Sequence, residues 1–341
     1  MTVYNSINCG SYWQAFALGE AIRGLGHDVV YWKRDLGRSS SASLNRKLKK
    51  MAKCFLHGGI KGAISYRKAL QGFLNVQQQF AVTSTKNDID CFVLGSDTIW
   101  NVANIHFKSN YKTYWGIEFF PAKVISYAAS AANTGESDLT EEMYNAVRSL
   151  SAVSVRDLHT LDLIHRSKES AQIVCDPTML LKKEAYQQYM AEKRKERYVF
   201  LYLFSELKNE ITEELKAFCD RNNLLIVNGW YPDTNVRFNK GGIVSPTEFI
   251  TELFNAEYVV TDTFHGTAFS ILFNKQFVSV KRNQNKVIEL LKQVGLETRF
   301  IDSDLEKTLT EKIDYDKVNQ TIDEIRAASA DYLKNGLLGD E

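Results

Sequence analysis

Acidic residues are missing from the stretch Leu36 to Lys86, which holds ten Lys or Arg and no Asp or Glu. The formal net charge of +1 hides this segregation, because the remaining chain carries 32 basic against 41 acidic residues. Cysteine is scarce and scattered: Cys9, Cys54, Cys91, Cys175 and Cys219 are odd in number and form no C-x-x-C pair. That argues against a disulfide framework and a zinc site, and reduced thiols are expected. The histidines are equally scattered, with no H-E-x-x-H and no carboxylate cluster, so neither a metal nor a cofactor is expected. No apolar run approaches the roughly 18 residues of a membrane span, and Met1 opens no signal-peptide pattern. A cytoplasmic protein is expected, without a nucleic-acid partner.

What is present is alternation. At 341 residues the chain exceeds what one core usually serves, and only four prolines interrupt it. Met1 to Tyr4 is a stub of strand; Ser11 then reads as the cap of a helix with Trp13, Phe16, Ala17, Ala21 and Leu25 on one stripe and Gly26 as its stop. Strand Val29–Trp32 follows, a βαβ opening that lacks both G-x-G-x-x-G and G-K-[ST]. Next comes a basic amphipathic helix over 44–56. Its apolar face is Leu44, Leu48, Met51, Ala52, Phe55 and Leu56, and Arg46, Lys47, Lys49, Lys50 and Lys53 fill the others. Either it packs on its domain with a solvated cationic face, or it meets an anionic membrane or lipid-linked substrate. After a polar helical linker from Lys182 to Arg197, which marks the boundary, the alternation resumes, with Ser245-Pro246-x-Glu248 as a helix start. The expected organisation is an N-terminal domain over 1–190 with a basic helical insertion at about 36–86, a C-terminal domain over 191–315, and a closing helix over 316–341 that packs back across the cleft between them.

Three strands of the first half end in polar residues: Cys91 to Leu94 before Gly95-Ser96-Asp97, Ile125 to Ala128 before Ala129-Ser130, and Ala152 to Val155 before Arg156-Asp157. In a parallel sheet all three ends share one edge, where open α/β sheets bind ligands. Arg156 offers a permanently charged fork for carboxylate or phosphate, or else pairs with Asp157 or another acid. Asp97 is either a functional carboxylate or a turn aspartate accepting local N–H groups. In the second half Tyr258-Val259-Val260 leads into Thr261-Asp262-Thr263-Phe264-His265-Gly266-Thr267 and a helix. His265 stands at that helix N-terminus, where amides attract anions, and Gly266 is expected to let a ligand approach the backbone. The alternative is a helix-start histidine satisfied by its own backbone, with Thr263 a plain cap.

As an ordered set these blocks resemble one family. Asn8-x-Gly10-Ser11-x-x-Gln14-Ala15-x-Ala17-Leu18, Gly95-Ser96-Asp97-x-x-Trp100-Asn101, Ile125 to Ser130, Ser154-Val155-Arg156-Asp157, Asp176-Pro177-Thr178 and Ala256 to Ala268 follow the order of the polysaccharide pyruvyl transferase family. The resemblance implies an α/β protein of two facing Rossmann-like domains, a GT-B-like clamp with parallel sheets and the active site in the interdomain cleft. It implies transfer of the enolpyruvyl group of phosphoenolpyruvate, as a cyclic ketal, to two hydroxyls of a sugar in a cell-surface polysaccharide or its lipid-linked precursor. By the same resemblance Arg156 takes the phosphate or carboxylate, His265 is the acid and phosphate contact, and Asp97 is the hydroxyl base or acceptor ligand. Asn8, Gly10, Ser11, Gln14, Ser96, Trp100, Thr263, Gly266 and Thr267 are implied as substrate contacts. Some members carry Ser-Arg-x-His at the helix start; here Thr263 holds the arginine's place, and Lys281 is the candidate for the missing charge. A nucleotide-sugar glycosyltransferase of the same architecture and a non-catalytic glycan-binding protein are the competing expectations.

Overall fold

The computed structural model describes residues 1–33, 40–192, 194–229, 240–282 and 285–338, with the side chains at 40–47, 53, 57, 58, 240, 241 and 285 left aside. The chain forms two compact units. The first comprises Met1–Arg34, Gln79–Leu181 and Thr321–Glu341, the second Asp35–Gln78 and Lys182–Gln320. This division differs from the sequence expectation in the basic helical segment, and burial between distant segments sets it. The basic helical segment groups with the second unit, because Cys54, Tyr66 and Ala69 share a small core with Ile243. The closing helix Tyr315–Leu338 contributes its residues from Thr321 onward to the first unit. There Cys175 N donates to Ser329 Oγ at 2.9 Å and the Tyr332 hydroxyl donates to Ser126 O at 2.7 Å.

In the first unit, short apolar runs pair in parallel: β1 (Tyr31–Trp32) with β2 (Val82–Thr83), β3 (Cys91–Leu94) with β4 (Lys123–Ser126), and β5 (Ser154–Val155) with β6 (Gln172–Ile173). Parallel bridges Asp97↔Ala129, Ile125↔Ala152 and Ala129↔Val155 carry the register across β3, β4 and β5. The three polar strand ends therefore stand side by side. Aromatic stacking fills the core beneath them, Phe92 on Phe119 at 4.1 Å and Trp100 on Trp115 at 4.9 Å. Gly95 has φ +126°, and a Cβ there would sit 2.1 Å from Tyr127 O, so no other residue fits between β3 and the end of β4.

Helix α1 (Cys9–Gly24) begins earlier than its sequence suggests. Asn8 is the cap, accepting from Ser11 N at 3.2 Å, and Ser11 lies inside the first turn. An Asn in extended conformation satisfies the orphan amide as well as Ser would.

The second unit is built on a six-stranded parallel sheet in the order β12-β11-β10-β7-β8-β9. Its strands are β7 (Tyr198–Tyr202), β8 (Leu225–Asn228), β9 (Lys240–Gly241), β10 (Tyr258–Thr261), β11 (Gln276–Val280) and β12 (Phe300–Ile301). All five residues of β7 are buried, as a central strand covered on both faces requires. Its odd members Val199 and Leu201 pack with Leu215 and Phe218 of helix Asn209–Asn222, while Tyr202 meets Phe249 of helix Pro246–Asn255 at 4.5 Å. The predicted start of that second helix is present: Glu248 N donates to Ser245 Oγ at 3.3 Å and Ser245 N to Glu248 Oε2 at 2.9 Å, a reciprocal capping box. The polar linker before β7, expected to be helical, holds among its described residues one short helix, Glu184–Gln187.

Helix α2 (Ser40–Gln77) is two helical arms broken at Gly59, whose φ of 59° and ψ of −152° are not helical. A packed apolar face over 44–56 is not what forms: Leu48, Met51, Phe55 and Leu56 are exposed, and Cys54 is the buried residue. The side chains of Leu44, Arg46, Lys47 and Lys53 lie outside the described residues. Among the described residues no helix is long and apolar enough to cross a membrane.

Candidate active site

In the first unit, the candidate groups meet where β3, β4 and β5 end. Asp97, in the left-handed region at φ 75°, accepts from Ser11 Oγ at 2.7 Å and from Thr98 N at 2.8 Å. The first of these bonds ties the opening turn of α1 to the end of β3. Ser96 is fully buried; its carbonyl accepts from Thr2 Oγ1 at 3.2 Å, and its own Oγ has no partner among the described residues. Gln14, also fully buried, binds Thr2 Oγ1 at 2.9 Å and Ser11 O at 2.8 Å, which holds the Asn8 to Ser11 turn in place. Gly10 is buried within that turn. Trp100 is fully buried with its indole N–H on Tyr114 O at 2.9 Å, so its ring serves the core.

Arg156 follows β5, with its N–H bonded to Ala129 O at 3.1 Å. Its side chain is 2% exposed, and Nη1 donates to Asp176 Oδ2 at 2.8 Å. Asp157, the neighbour considered as its partner, instead caps helix Leu158–Ile164 by accepting from Thr160 N at 2.8 Å and Thr160 Oγ1 at 2.6 Å. Asp176 also takes Thr178 N at 3.0 Å as the cap of helix Pro177–Leu180. Burial on its own would lower the Arg156 pKa, but Asp176, Asp97 and Asp157 raise it, and the guanidinium stays charged. The first unit thus offers one buried cation ringed by carboxylates, with a Ser–Asp pair beside it.

In the second unit, the parallel register sets Thr261 beside Tyr202 and Ser279, bringing the ends of β7, β10 and β11 together. Thr263 caps helix Phe264–Leu272, accepting from Gly266 N at 2.9 Å, and its Oγ1 lies 3.0 Å from Thr261 Oγ1. The space beside Gly266 is taken up by its own turn. A Cβ there would fall 2.1 Å from Thr261 Oγ1 and 2.7 Å from Thr263 Oγ1, so the missing side chain makes room for those hydroxyls. Thr267 is buried between helix and sheet, bonding Thr263 O at 2.9 Å and Ser279 Oγ at 2.7 Å. His265 is the half-buried member of this turn, its ring edge-on to Phe264.

Two residues of this edge escaped the sequence reading. Asp262, 3% exposed, accepts from Phe204 N at 2.7 Å and Ser205 N at 2.9 Å, and so locks the turn after β7 to the turn after β10. Arg282 Nη1 approaches Asp262 Oδ2 at 3.4 Å. Lys281 goes elsewhere, half-exposed and 3.7 Å from Asp302. The adjacent pair Lys281-Arg282 after a strand was the available signal. Period-two alternation sends neighbours to opposite sides, and only the sheet register says which side holds Asp262.

Each unit of this α/β protein thus gathers polar groups at the carboxyl ends of parallel strands, the edge where open α/β sheets bind ligands. A family model described as polysaccharide pyruvyl transferase matches residues 8–284, and the chain belongs to that family. No curated protein matches the chain. Among solved structures, UDP-GlcNAc 2-epimerase from Methanocaldococcus jannaschii is 12% identical with a TM-score of 0.47, over 91% of this chain and 88% of that one. A putative UDP-N-acetylglucosamine 2-epimerase from Listeria monocytogenes is 10% identical with a TM-score of 0.49, over 94% and 88%.

Proposed function

We propose that this family member is a ketal-forming pyruvyltransferase that uses phosphoenolpyruvate and acts, in the cytoplasm, on a sugar of a cell-surface polysaccharide or its lipid-linked precursor. The observation that carries the reading is the family match over 8–284, within which both polar strand edges fall. The chemistry asks for an acid, a base and fixed cations. One sugar hydroxyl bonds to C2 of the enolpyruvyl group while C3 takes a proton. Phosphate then leaves C2, the second hydroxyl takes its place, and that hydroxyl's proton leaves with the phosphate. Asp97, already accepting from Ser11, is assigned to receive the hydroxyl proton. His265, at its helix start, is assigned to supply the proton and contact the phosphate. Arg156 is assigned to the substrate anion, and Arg282 rather than Lys281 is assigned the second positive charge, because Arg282 lies beside Asp262 in the turn that carries His265, whereas Lys281 reaches Asp302.

The test is phosphate release from phosphoenolpyruvate across a panel of hexose acceptors. Release should depend on acceptor and fall roughly 10²–10⁴-fold in His265→Ala, the range for loss of an acid–base group. Turnover with nucleotide-sugar donors and none with phosphoenolpyruvate would overturn the reading, as would an unimpaired His265→Ala enzyme.

A further inference from the structure

The described residues include twelve exposed large hydrophobics, and seven of them lie in α2: Leu48, Met51, Phe55, Leu56, Ile60, Ile64 and Leu74. That concentration needs an explanation, because scattered exposed apolar residues are ordinary and a contiguous set is not. Five of the seven, from Met51 to Ile64, lie within eight residues of the break at Gly59. The helix breaks at Gly59, and a Cβ on Gly62 would lie 2.2 Å from Cys54 O, so the two arms come close at that point. One side of the pair is fastened to the second unit. Cys54, Tyr66 and Ala69 are buried with Ile243, a Cβ on Gly72 would fall 2.5 Å from Ser245 Cβ, and Lys68 reaches Glu248 at 2.7 Å. Residues near the bend point away from that side: Phe55 is 51% exposed, Leu56 80%, Ile60 70% and Ile64 61%. Lys49, Lys61 and Arg67 are exposed on the same arms.

We infer that this bent, basic helix pair is a docking surface for an anionic lipid bilayer, with the apolar residues around Gly59 entering the headgroup boundary and the cations contacting lipid phosphates. Charge selects this occupant. Eight Lys or Arg and no acid within Ser40–Gln77 give α2 a net positive charge that would repel a second copy of the same helix pair and that a negative bilayer attracts. The combination of an exposed apolar crest with flanking cations is the pattern of an interfacial helix. Anchoring through Tyr66, Ala69 and Phe73 leaves the crest free to be used without unfolding the sheet below. The inference does not depend on the reaction, and its test involves no turnover.

The full chain is sedimented with vesicles of phosphatidylcholine alone and with about two parts phosphatidylcholine to one part phosphatidylglycerol. Binding to the anionic vesicles only, weakened by added salt, is expected. Phe55→Ser/Leu56→Ser/Ile60→Ser should reduce the partition coefficient at least about tenfold with no loss of thermal stability, since the three side chains are exposed. Lys49→Gln/Lys61→Gln/Arg67→Gln should do the same through charge. Absence of binding by the unaltered chain overturns the inference, as does equal binding by the triple-serine variant. Light scattering that shows a dimer, lost in the triple-serine variant, together with no vesicle binding, would make the face a subunit contact and overturn it too.

Discussion

Replacing Arg156 separates a structural role from a chemical one. Its guanidinium and the Asp176 carboxylate are 2% and 0% exposed and 2.8 Å apart, so removing the cation leaves a buried, uncompensated charge. Arg156→Met should cost about 3–5 kcal/mol. In a unit of this size that lowers the melting temperature by about 6–20 °C. Replacing both partners with apolar side chains, Arg156→Met/Asp176→Leu, removes the charge stranded at Asp176 and should restore part of that stability, the rest being lost with the Asp176 cap on Thr178 N. Activity should behave otherwise. If Arg156 contacts the substrate anion, phosphate release from phosphoenolpyruvate stays depressed in the double variant even as its melting temperature recovers. The assay pairs calorimetry with acceptor-dependent phosphate release on the same preparations, and the coupling is read from the double-mutant cycle. Recovery of activity together with stability would refute the assignment of Arg156 to substrate. A single variant as stable as the parent would refute the reasoning about the buried pair.

Gly266→Ala places a methyl 2.1 Å from Thr261 Oγ1 and should destabilise the second unit by about 1–3 kcal/mol, measurable by denaturant titration. Arg282→Ala should raise the KM for phosphoenolpyruvate roughly ten- to a hundredfold, the worth of a hydrogen bond to a charged group, while Lys281→Ala leaves it near the parent value; the reverse order would return the role to Lys281. Glu248 provides a pH test. Burial would raise its pKa, but the hydrogen bonds from Lys68 and Ser245 outweigh it and leave the carboxyl below the ordinary glutamate range. Its stabilising contribution is therefore complete above the unfolded pKa, about 4.3, and is lost as pH falls through the folded value. Glu248→Gln should flatten the acid limb of the stability curve, followed by melting temperature between about pH 3 and 6.

Much of the fold was determined locally. The strand that opens at Tyr258 was legible because buried parallel strands are near-continuous apolar runs, and the helix starts at Ser245 and Thr263 because a side-chain oxygen two or three residues before an orphan amide caps it wherever the helix goes. The shared edge of Asp97, Ala129 and Arg156 was legible too, since parallel pairing of β3, β4 and β5 puts their ends together. Tertiary structure alone decided what each group then does. It gave Arg156 the partner Asp176, twenty residues on, in place of its neighbour Asp157. It turned Arg282 rather than Lys281 toward Asp262, filled the space at Gly266 with two threonine hydroxyls, and left the apolar crest of α2 uncovered. The physical reason is range: capping and periodicity are settled within a turn or a strand. Partners, burial and exposure depend on the register between segments far apart in the chain, and no local pattern encodes that register.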